Sequence, residues 1–358
     1  MKSLALIAPS KVGWVEKQKP IAGPYDAIIR PTVIAPCSSD VHTAYESNVV
    51  KPENFVLGHE ALGEIVEVGD KVRDFKVGDK VVVPAGSPNW RARGIQEHNF
   101  KHAEGPFSCF KLSGAHDGTF AEYFLVDDAD CNLALMPEDI SEDDAIMVVD
   151  MVTTGFSGAE MADIKFGDTV CVIGIGPVGL MAIAGAKLRG AARIMAVGTR
   201  PDCVALAKEF GATDIISYKD GNIAKQVMDL TGGRGTDATI IAGGNSETFA
   251  MAISMTRFGG GNIANVNYYT DSDVLPVPTL AFGRGMAGKT IRGDFCEGGR
   301  VRIERLLDMV RYGRISPGKM ISHRYYGFDK IEEAFEIMHK KPSDLIKPVV
   351  YIDWSKEK

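Results

Sequence analysis

The stretch "TVCVIGIGPVGLMAIAGAKLRG", residues 169–190, constrains the fold of this chain more than any other. An apolar run rich in β-branched residues ends at Gly174, and an apolar segment of helical length follows Gly179. Between them, Gly174, Gly176 and Gly179 have the G-x-G-x-x-G spacing, which permits a tight turn from a buried strand into a helix. Such a strand–turn–helix unit predicts a parallel sheet covered by helices.

The rest of residues 153–295 repeats the same alternation. Strand-like runs such as "ARIMAVG", "TDIIS", "DATIIAGG" and "GNIANVN" are separated by segments with helical periodicity. Strands and helices that alternate at this spacing are typical of βαβ units. We therefore predict the α/β class for the chain, with a doubly wound parallel sheet of the Rossmann type over residues 153–295.

Residues 1–152 have a different pattern. Short β-rich runs, among them "YDAIIRPTVIAP", "GEIVEVG" and "FAEYFLVD", are punctuated by glycine and proline, which predicts a β-barrel-like domain. Residues 86–118 are polar and glycine-rich without clear periodicity, so we predict a long functional loop there. Because the chain has 358 residues, more than a single core usually holds, two domains are expected.

Composition limits the possible ligands and locations. The net charge of -7 argues against binding to nucleic acid or to an anionic membrane surface. No run approaches the roughly 18 apolar residues of a membrane span, and the N-terminal apolar stretch is too short for a signal peptide. The six cysteines form no CxxC pair, which indicates reduced thiols rather than a disulfide framework. We expect a cytoplasmic protein that acts on a small molecule.

The glycine motif at residues 174–179 predicts a dinucleotide site. Its glycines would let the backbone approach a pyrophosphate, and Pro177 and Val178 would open a helix whose N-terminus favours phosphate. The alternative is that the glycines only serve the turn between strand and helix.

The end of the next strand, "AVGTRP", indicates which dinucleotide binds. An NAD site would place Asp or Glu about 20 residues beyond the motif, but Gly198, Thr199 and Arg200 stand there. Arg200 and Thr199 can bind a 2′-phosphate, and Tyr218 follows the third strand nearby, so we predict NADP(H). The alternative for Arg200 is a solvated arginine at the start of a helix.

A possible metal site is indicated by "FVLGHEALGEIVEVG", residues 55–69, where His59 and Glu60 interrupt an apolar run. Catalytic zinc takes three ligands from Cys, His and carboxylate side chains. Cys37 in "APCSSDVH" and Asp150 in "VVDMVTTG" are the best-placed companions of His59. Two alternatives stay open, since His59 can be a satisfied core residue and Asp150 can cap the helix that begins near Thr153.

Several of these stretches together resemble the zinc-dependent medium-chain alcohol dehydrogenases. They are "GHEALGEIVEVG", "GDKVVVP", "GIGPVGLMAIAGAKLRGA", "GATDII" and the set Cys37, His59 and Asp150. Within that family the chain resembles the NADP-dependent secondary-alcohol dehydrogenases of the isopropanol dehydrogenase type, found in anaerobic bacteria and protists. The resemblance extends from "KVGWVEKQKP" to "KPSDLIKPVVYI", which is nearly the whole chain.

The resemblance implies a GroES-like catalytic domain over residues 1–152, to which residues 296–358 return, with the Rossmann NADP-binding domain over residues 153–295 between them. It implies a homotetramer with one catalytic zinc per chain and no structural zinc. Cys37, His59 and Asp150 would bind the zinc, and Glu60 would be an intermittent or outer ligand. Ser39 and His42 would form a proton relay.

The resemblance also implies a larger set of binding residues. Those expected at the cofactor are Gly174, Gly176, Pro177, Val178, Gly179, Gly198, Thr199, Arg200, Tyr218, Asn267, Tyr268 and Lys341. Those expected at the substrate pocket are Ser39, Ala85, Gly86, Phe110, Phe295 and Cys296. Close family members carry larger residues where Gly86 and Phe110 stand and a smaller one where Phe295 stands, so the pocket is expected to be reshaped.

The expected reaction is the oxidation of a small secondary alcohol, or the reduction of a ketone or some aldehydes, by hydride transfer to or from NADP(H). Zinc would act as a Lewis acid, and Ser39, His42 and Asp150 are the catalytic candidates. One competing hypothesis is a zinc-free NADPH quinone or enoyl reductase on the same fold, which the ligand set disfavours. The other is a non-catalytic NADPH-binding protein, which the relay residues disfavour more weakly.

Overall fold

The chain forms two compact units, and its structure, a computed structural model, describes residues 1–46 and 51–357. The first unit comprises Met1–Thr153 and Cys296–Lys358, and the second comprises Thr154–Phe295. The C-terminal segment therefore belongs to the same unit as the N-terminal segment.

The strands and helices of the described residues have the following bounds. The strands are β1 (Lys2–Ala8), β2 (Lys11–Glu16), β3 (Ala27–Ile34), β4 (Phe55–Val56), β5 (Ala61–Val68), β6 (Lys80–Val83), β7 (Phe124–Val126), β8 (Ala134–Leu135), β9 (Thr169–Ile173), β10 (Arg193–Val197), β11 (Asp214–Ile216), β12 (Ala238–Ile241), β13 (Asn262–Asn265), β14 (Thr290–Gly293), β15 (Ile321–Tyr326) and β16 (Lys347–Tyr351). The α-helices are α1 (Ser38–Val41), α2 (Arg93–Gln96), α3 (Ala129–Asn132), α4 (Glu142–Met147), α5 (Thr153–Met161), α6 (Pro177–Leu188), α7 (Pro201–Phe210), α8 (Ile223–Leu230), α9 (Glu247–Met255), α10 (Arg300–Arg311) and α11 (Ile331–Lys340).

The second unit is built on a six-stranded sheet in the order β11-β10-β9-β12-β13-β14. All neighbouring strands of this sheet are parallel, which confirms the predicted doubly wound sheet. The strand order reverses between β9 and β12, and in such sheets ligands bind at the carboxyl ends of the strands beside that point. The glycine motif follows β9 and therefore lies at this position.

The first unit contains two sheets. One has the order β15-β16-β3-β5-β6-β8, with β7 also paired to β3, and the other has the order β2-β1-β4. Buried side chains of β1, β3 and α11, such as Leu4, Ile29 and Phe335, belong to one core together with Phe120. Since β16 pairs antiparallel with β3, the last strand of the chain is part of the same sheet as the residues that precede Cys37.

Two short segments of the first unit adopt π-helical geometry. They are His42–Glu46, which follows α1, and Val148–Val152, which joins α4 to α5. π-Helical turns are rare and occur frequently at functional sites, because the extra residue redirects the side chains around it. One of these turns carries His42 and the other carries Asp150, and both residues were predicted to be catalytic.

The predicted loop at residues 86–118 is mostly turns, with α2 as a single short helix inside it. Throughout residues 1–46 and 51–357, every helix is too short or too polar to cross a lipid bilayer.

Candidate active site

Three separate segments of the first unit place the predicted metal ligands, with Asp150 on the π-helical turn Val148–Val152. Cys37 is the N-cap of α1, directly after β3, while His59 and Glu60 lie between β4 and β5. The chain turns sharply before His59 because Gly58 has a φ of +93°, where a Cβ would lie 2.2 Å from the Phe120 ring. Glycine is therefore required at residue 58, and it directs the two polar side chains that follow toward Cys37.

Cys37, His59, Glu60 and Asp150 form one cluster, called here the buried cluster. One ligand atom from each of the four lies within 4.8 Å of those of the others. The Cys37 thiol donates to Asp150 Oδ2 at 3.7 Å, and His59 Nε2 lies 3.6 Å from the same oxygen. Glu60 Oε1 lies 3.8 Å from His59 Nε2. The structure thus brings the predicted zinc ligands together, although they are far apart in sequence.

Asp40 holds the buried cluster from behind. Its Oδ2 accepts from the backbone N–H of Cys37 at 2.9 Å, and its Oδ1 accepts from the N–H of Gly58 at 3.0 Å. The same Oδ1 lies 3.2 Å from His59 Nδ1. A hydrogen bond from Nδ1–H to this carboxylate fixes the tautomer in which Nε2 is free to bind a metal. Sequence reasoning missed Asp40, whose signal was its place three residues after Cys37, in the first turn of α1.

Lys347 approaches the buried cluster from β16. Its Nζ lies 2.5 Å from Glu60 Oε1, and both side chains are buried, with 1% and 0% of their surface exposed. Glu60 Oε2 is buried and has no hydrogen-bond partner among the described residues. Sequence reasoning missed Lys347 as well. The available signal was that it is the only charged residue in the apolar strand "KPVVY".

Burial and charge shift the titration of these groups in opposite directions. Burial lowers the pKa of His59, but the carboxylates of Asp40 and Asp150 raise it, and the net result lies well above its usual value. Burial raises the pKa of Glu60, which the Lys347 ammonium partly offsets. Burial lowers the pKa of Lys347, but the Glu60 carboxylate outweighs this effect and raises it. The titrations of His59, Glu60 and Lys347 therefore depend on one another.

The residues of the buried cluster fit a zinc ion. A thiol, an imidazole nitrogen with its tautomer fixed, and a carboxylate form the kind of mixed ligand set that catalytic zinc takes. The buried Oε2 of Glu60 is an additional acceptor without a donor in the described residues. His59, Glu60 and Asp150 are only 0–9% exposed. Burying these polar groups beside Cys37 would cost free energy if no cation were bound among them.

The predicted relay residues lie on α1 and in the turn after it. The Ser39 hydroxyl lies 3.3 Å from His59 Nε2, at the edge of the buried cluster. His42 Nδ1 contacts the carboxylate of Glu46 one turn further along the π-helical segment. The His42 side chain is half-buried and that of Glu46 is exposed, so this contact leads outward from α1 to solvent.

Most of the predicted substrate residues belong to the first unit. Phe110 packs edge-on against the His59 ring, with ring centroids 5.1 Å apart. Ala85 and Cys296 are buried, and a Cβ added to Gly86 would meet the Gly298 backbone at 3.4 Å. Phe295 is the last residue of the second unit. Phe110 and Ser39 are thus two pocket residues that contact His59 of the buried cluster.

The glycine motif of the second unit, residues 174–179, is called here the glycine turn. Gly174 has a φ of +90°, and a Cβ on Gly179 would lie 1.8 Å from the Gly174 carbonyl oxygen. A Cβ on Gly176, by contrast, would meet nothing within 4 Å. Pro177 and Val178 then begin α6, whose first amides have no intrahelical acceptor. Gly174 and Gly179 therefore serve the turn, and the open space over Gly176 fits a dinucleotide phosphate.

The residues predicted at the adenosine end lie beside the ends of β10 and β11. The Thr199 hydroxyl donates to the Tyr218 hydroxyl at 2.8 Å, and Arg200 is the N-cap of α7. A Cβ on Gly198 would lie 2.1 Å from Ile175, so the strand end packs tightly on the glycine turn.

The remaining cofactor candidates are more dispersed. Asn267 donates to the Gly244 carbonyl at 3.3 Å, and Tyr268 is exposed. Lys341 follows α11 in the first unit and has left-handed backbone geometry, with a φ of 46°.

Two family models match the chain. One is described as "Alcohol dehydrogenase GroES-like domain" and matches residues 23–138, and the other is described as "Zinc-binding dehydrogenase" and matches residues 177–311. These matches confirm the predicted fold class of a GroES-like domain with a Rossmann sheet.

Individual proteins match over nearly the full length. The chain is 56% identical to an NADP-dependent isopropanol dehydrogenase of Thermoanaerobacter brockii, covering 98% of this chain and 100% of the relative. It is 53% identical to an NADP-dependent isopropanol dehydrogenase of Clostridium beijerinckii, with the same coverage. A solved structure of zinc dependent alcohol dehydrogenase 2 from Streptococcus pneumonia is 28% identical with a TM-score of 0.86, covering 99% of each chain.

Proposed function

Because the chain belongs to the family of zinc-dependent alcohol dehydrogenases, we propose that it oxidises small secondary alcohols and reduces ketones with NADP(H) and zinc. The observation that carries this proposal is the buried cluster, in which Cys37, His59 and Asp150 present sulfur, nitrogen and oxygen within 4.8 Å of one another. Two relatives with more than 50% identity are both named NADP-dependent isopropanol dehydrogenases, which supports the cofactor and the substrate class.

Cys37, His59 and Asp150 would hold the zinc. When bound, the ion supplies Lewis acidity toward the oxygen of the alcohol or ketone. A thiolate and a carboxylate balance its charge, and Asp40 keeps His59 Nε2 directed into the cluster. Glu60 is held by Lys347 and would serve as an outer or intermittent ligand.

Ser39, His42 and Glu46 would carry the alcohol proton. Ser39 lies beside His59 Nε2, where its hydroxyl can accept a proton from the substrate and pass one on. His42 belongs to the following turn and can relay the proton through its two ring nitrogens. Its Nδ1 contacts the exposed Glu46 carboxylate, which gives the proton a route to water.

The glycine turn and the end of β10 would bind NADP(H). The nicotinamide of the cofactor accepts or donates the hydride. The open space above Gly176 and the N-terminus of α6 would hold the pyrophosphate. Thr199, Tyr218 and Arg200 would bind the 2′-phosphate, since two hydroxyls and a guanidinium suit a dianion and no carboxylate stands in "GTRP" to repel it.

In the first unit, Ser39, Ala85, Gly86, Phe110 and Cys296 would line the substrate side. The apolar side chains of Ala85 and Phe110 suit the alkyl groups of a small ketone. Phe110 would limit the pocket on one side, because its edge is packed against the His59 ring.

Metal analysis combined with turnover tests this function. We expect about one zinc per chain, as a three-ligand catalytic site holds, together with NADPH oxidation by acetone that chelation abolishes and zinc restores. An aldehyde should be reduced as well. Turnover of quinones or enones that is indifferent to chelation would instead support the zinc-free reductase, and NADPH binding without any turnover would support a non-catalytic protein.

The substitution Arg200→Asp tests the cofactor assignment. A carboxylate at residue 200 would repel the 2′-phosphate, so NADPH affinity should fall far more than NADH affinity. The matched control is Arg189→Asp, the same charge reversal at an exposed residue of the same unit. Equal losses with the two cofactors would contradict the role proposed for Arg200.

We also propose that the chain assembles as a homotetramer. Several large apolar side chains of the second unit are exposed, among them Phe258, Val274, Leu280 and Met286. Exposed apolar groups of this kind are typical of protein–protein contacts. Sedimentation velocity should give the mass of a tetramer, and a monomer at micromolar concentration would contradict this proposal. The cytoplasmic location stays a prediction.

A further inference from the structure

Two loops of the second unit follow the neighbouring parallel strands β12 and β13. The β12 loop comprises residues 242–246, and the β13 loop comprises residues 266–273. The β12 loop packs directly on the glycine turn, because a Cβ added to Gly174 would lie only 2.9 Å from the backbone nitrogen of Gly243. Since both loops continue from the carboxyl ends of their strands, the β13 loop lies on the same edge of the sheet.

The order of the strands indicates which half of a dinucleotide the β13 loop would meet. Thr199 and Tyr218, the residues expected at the 2′-phosphate, lie beside the ends of β10 and β11, on one side of the glycine turn. The strands β12 and β13 lie on the other side of β9. A dinucleotide whose pyrophosphate lies over the glycine turn extends to both sides of it. The nicotinamide half would therefore lie toward the β12 and β13 loops.

One carboxylate joins these two loops. Asp271 of the β13 loop accepts from the backbone N–H of Ser246 at 3.0 Å and from the Ser246 hydroxyl at 2.7 Å. A longer hydrogen bond runs from Asn267 Nδ2 to the Gly244 carbonyl at 3.3 Å. The hydrogen bonds from Ser246 lower the pKa of Asp271, which favours its ionised form, the better acceptor. The β13 loop is thus tied to the loop that packs on the glycine turn.

The geometry of Ser246 indicates that this link serves the loop and not the helix or the sheet. Ser246 is the N-cap of α9, where a serine hydroxyl usually accepts from a backbone N–H of the first turn. Among the described residues of α9 its hydroxyl caps no N–H, and it donates to Asp271 instead. The sheet is fixed without this link, because β13 is paired with β12 on one side and with β14 on the other.

We propose that Asp271 is a positioning residue that holds the β13 loop against the β12 loop, so that Asn267 and Tyr268 meet the nicotinamide half of NADP(H). Asp271 acts through Ser246 and the loop, not by contact with the cofactor. Release of the loop would leave the nicotinamide site formed in fewer molecules, and the apparent affinity would fall by that fraction. The proposal rests on the proposed function, because it presupposes that the glycine turn binds the pyrophosphate.

Titration of the full-length protein with a whole cofactor and with half of it tests this role. The variant is Asp271→Ala, and the control is Asp273→Ala, the same change at another exposed residue of the β13 loop. Each protein is titrated with NADPH and with adenosine 2′,5′-bisphosphate. The bisphosphate contains the adenosine half of the cofactor with its 2′-phosphate and lacks the nicotinamide. It therefore reports whether the rest of the site is intact.

We expect Asp271→Ala to bind NADPH about tenfold more weakly, because a hydrogen bond to a charged group is lost and the loop is released. The KM for NADPH in ketone reduction should rise with it. The affinity for adenosine 2′,5′-bisphosphate should not change, and Asp273→Ala should match the unchanged protein with both ligands. Unchanged NADPH affinity in Asp271→Ala, or equal losses of NADPH and bisphosphate affinity, would overturn the proposal.

A second variant keeps the proposal testable if Asp271→Ala does not fold. Ser246→Ala removes the hydroxyl donor and keeps the backbone N–H, so NADPH affinity should fall by a smaller factor of about threefold, with bisphosphate affinity unchanged. NADPH affinity equal to that of the unchanged protein would contradict the proposal. If the unchanged protein binds neither NADPH nor the bisphosphate, the proposed function itself has failed, which the same titrations reveal.

Discussion

The buried cluster of the first unit depends on its side chains, whereas the glycine turn of the second unit depends on its backbone. The cluster consists of ionisable side chains from separate segments of the chain, held by Asp40 and Lys347. The glycine turn depends on its backbone, and its three glycines matter because they lack a side chain. We therefore expect substitutions that remove a side-chain group to impair the buried cluster. We expect substitutions that add a side chain to impair the glycine turn.

Replacing Cys37 with serine should have the largest effect on the cluster. The change removes the thiolate and leaves a hydroxyl, which is a poor zinc ligand. We expect loss of bound zinc and a fall of about 10³-fold in ketone reduction, since several kcal/mol of Lewis-acid stabilisation corresponds to that factor at 1.36 kcal/mol per tenfold. NADPH affinity should not change. Metal analysis, steady-state kinetics and a fluorescence titration with NADPH measure the three quantities.

The control for this substitution is Cys131→Ser, at an exposed cysteine of the same unit. It should retain both zinc and activity. Full zinc content in Cys37→Ser would remove Cys37 from the ligand set, and a parallel loss of NADPH affinity would mean that the two sites do not fail independently.

Two alanine substitutions in the glycine turn give the converse effect. In Gly179→Ala the new Cβ would lie 1.8 Å from a carbonyl oxygen, so the turn must shift, at a cost of about 1–3 kcal/mol or more. In Gly176→Ala the Cβ meets no protein atom within 4 Å, so stability should change by only about 0.5 kcal/mol or less. Both should weaken NADPH binding by at least about tenfold, or 1.4 kcal/mol, and neither should lose zinc.

Thermal unfolding and NADPH titration of the two alanine variants separate the roles of these glycines. Equal losses of stability would mean that Gly176 also serves the fold. Unchanged NADPH affinity in Gly176→Ala would show that the space above it does not receive the cofactor.

The same contrast explains what sequence could predict. The glycine turn was identified from sequence because its residues are contiguous and its geometry follows from the absence of side chains. For the cluster, residue types and the family resemblance named Cys37, His59, Glu60 and Asp150. Their companions Asp40 and Lys347 were missed, because a carboxylate near a cysteine or a lone lysine in a strand acquires a role only when the fold brings distant segments together. The fold class could also be predicted from the sequence, because it rests on the periodicity of contiguous residues.

Replacing Asp40 with asparagine should have an intermediate effect on the cluster. Asparagine has a single side-chain acceptor oxygen, whereas Asp40 accepts from Cys37 N–H, Gly58 N–H and His59 Nδ1–H. His59 would lose its fixed tautomer, and zinc affinity should fall about 10–100-fold. Competition with a coloured chelator measures the change.

A suitable control for Asp40→Asn is Asp117→Asn. Asp117 also accepts a backbone N–H of the segment leading to His59, from Val56 at 3.0 Å. It should leave zinc affinity unchanged. If the two variants lose the same affinity, Asp40 acts only through the local backbone and not through the imidazole.

A partly exposed group of similar residues should show the smallest effect. Asp127 forms ion pairs with Lys111 at 2.7 Å and His116 at 3.5 Å, with 14–29% of these side chains exposed. Burial would raise the pKa of Asp127, but His116 and Lys111 lower it to about 2. Burial lowers the pKa of His116, but Asp127 outweighs this effect and raises it above its usual value of 6.5. Asp127, Lys111 and His116 therefore combine the same kinds of charged side chain as Glu60, Lys347 and His59, but they are partly exposed to solvent.

The sign of its pH dependence follows from these shifts. Because the pKa of Asp127 is lowered, its ionised form stabilises the fold above pH 3.8, and this stabilisation is lost as pH falls toward 2. Because the pKa of His116 is raised, its protonated form stabilises the fold below pH 6.5, and this stabilisation is lost as pH rises through the folded pKa.

Asp127→Asn should thus lower the free energy of unfolding most between pH 3.8 and 6.5, by about 1 kcal/mol after screening by solvent. The loss should be smaller at pH 9, where the Lys111 pair alone remains. Thermal unfolding at pH 5.5 and 9 measures the difference, and a His116→Gln background should abolish its dependence on pH. A cost that stays constant from pH 5.5 to 9 would mean that His116 and Asp127 do not interact. The difference between this group and the buried Lys347–Glu60 pair would then depend on which residues are paired, and not only on how deeply they are buried.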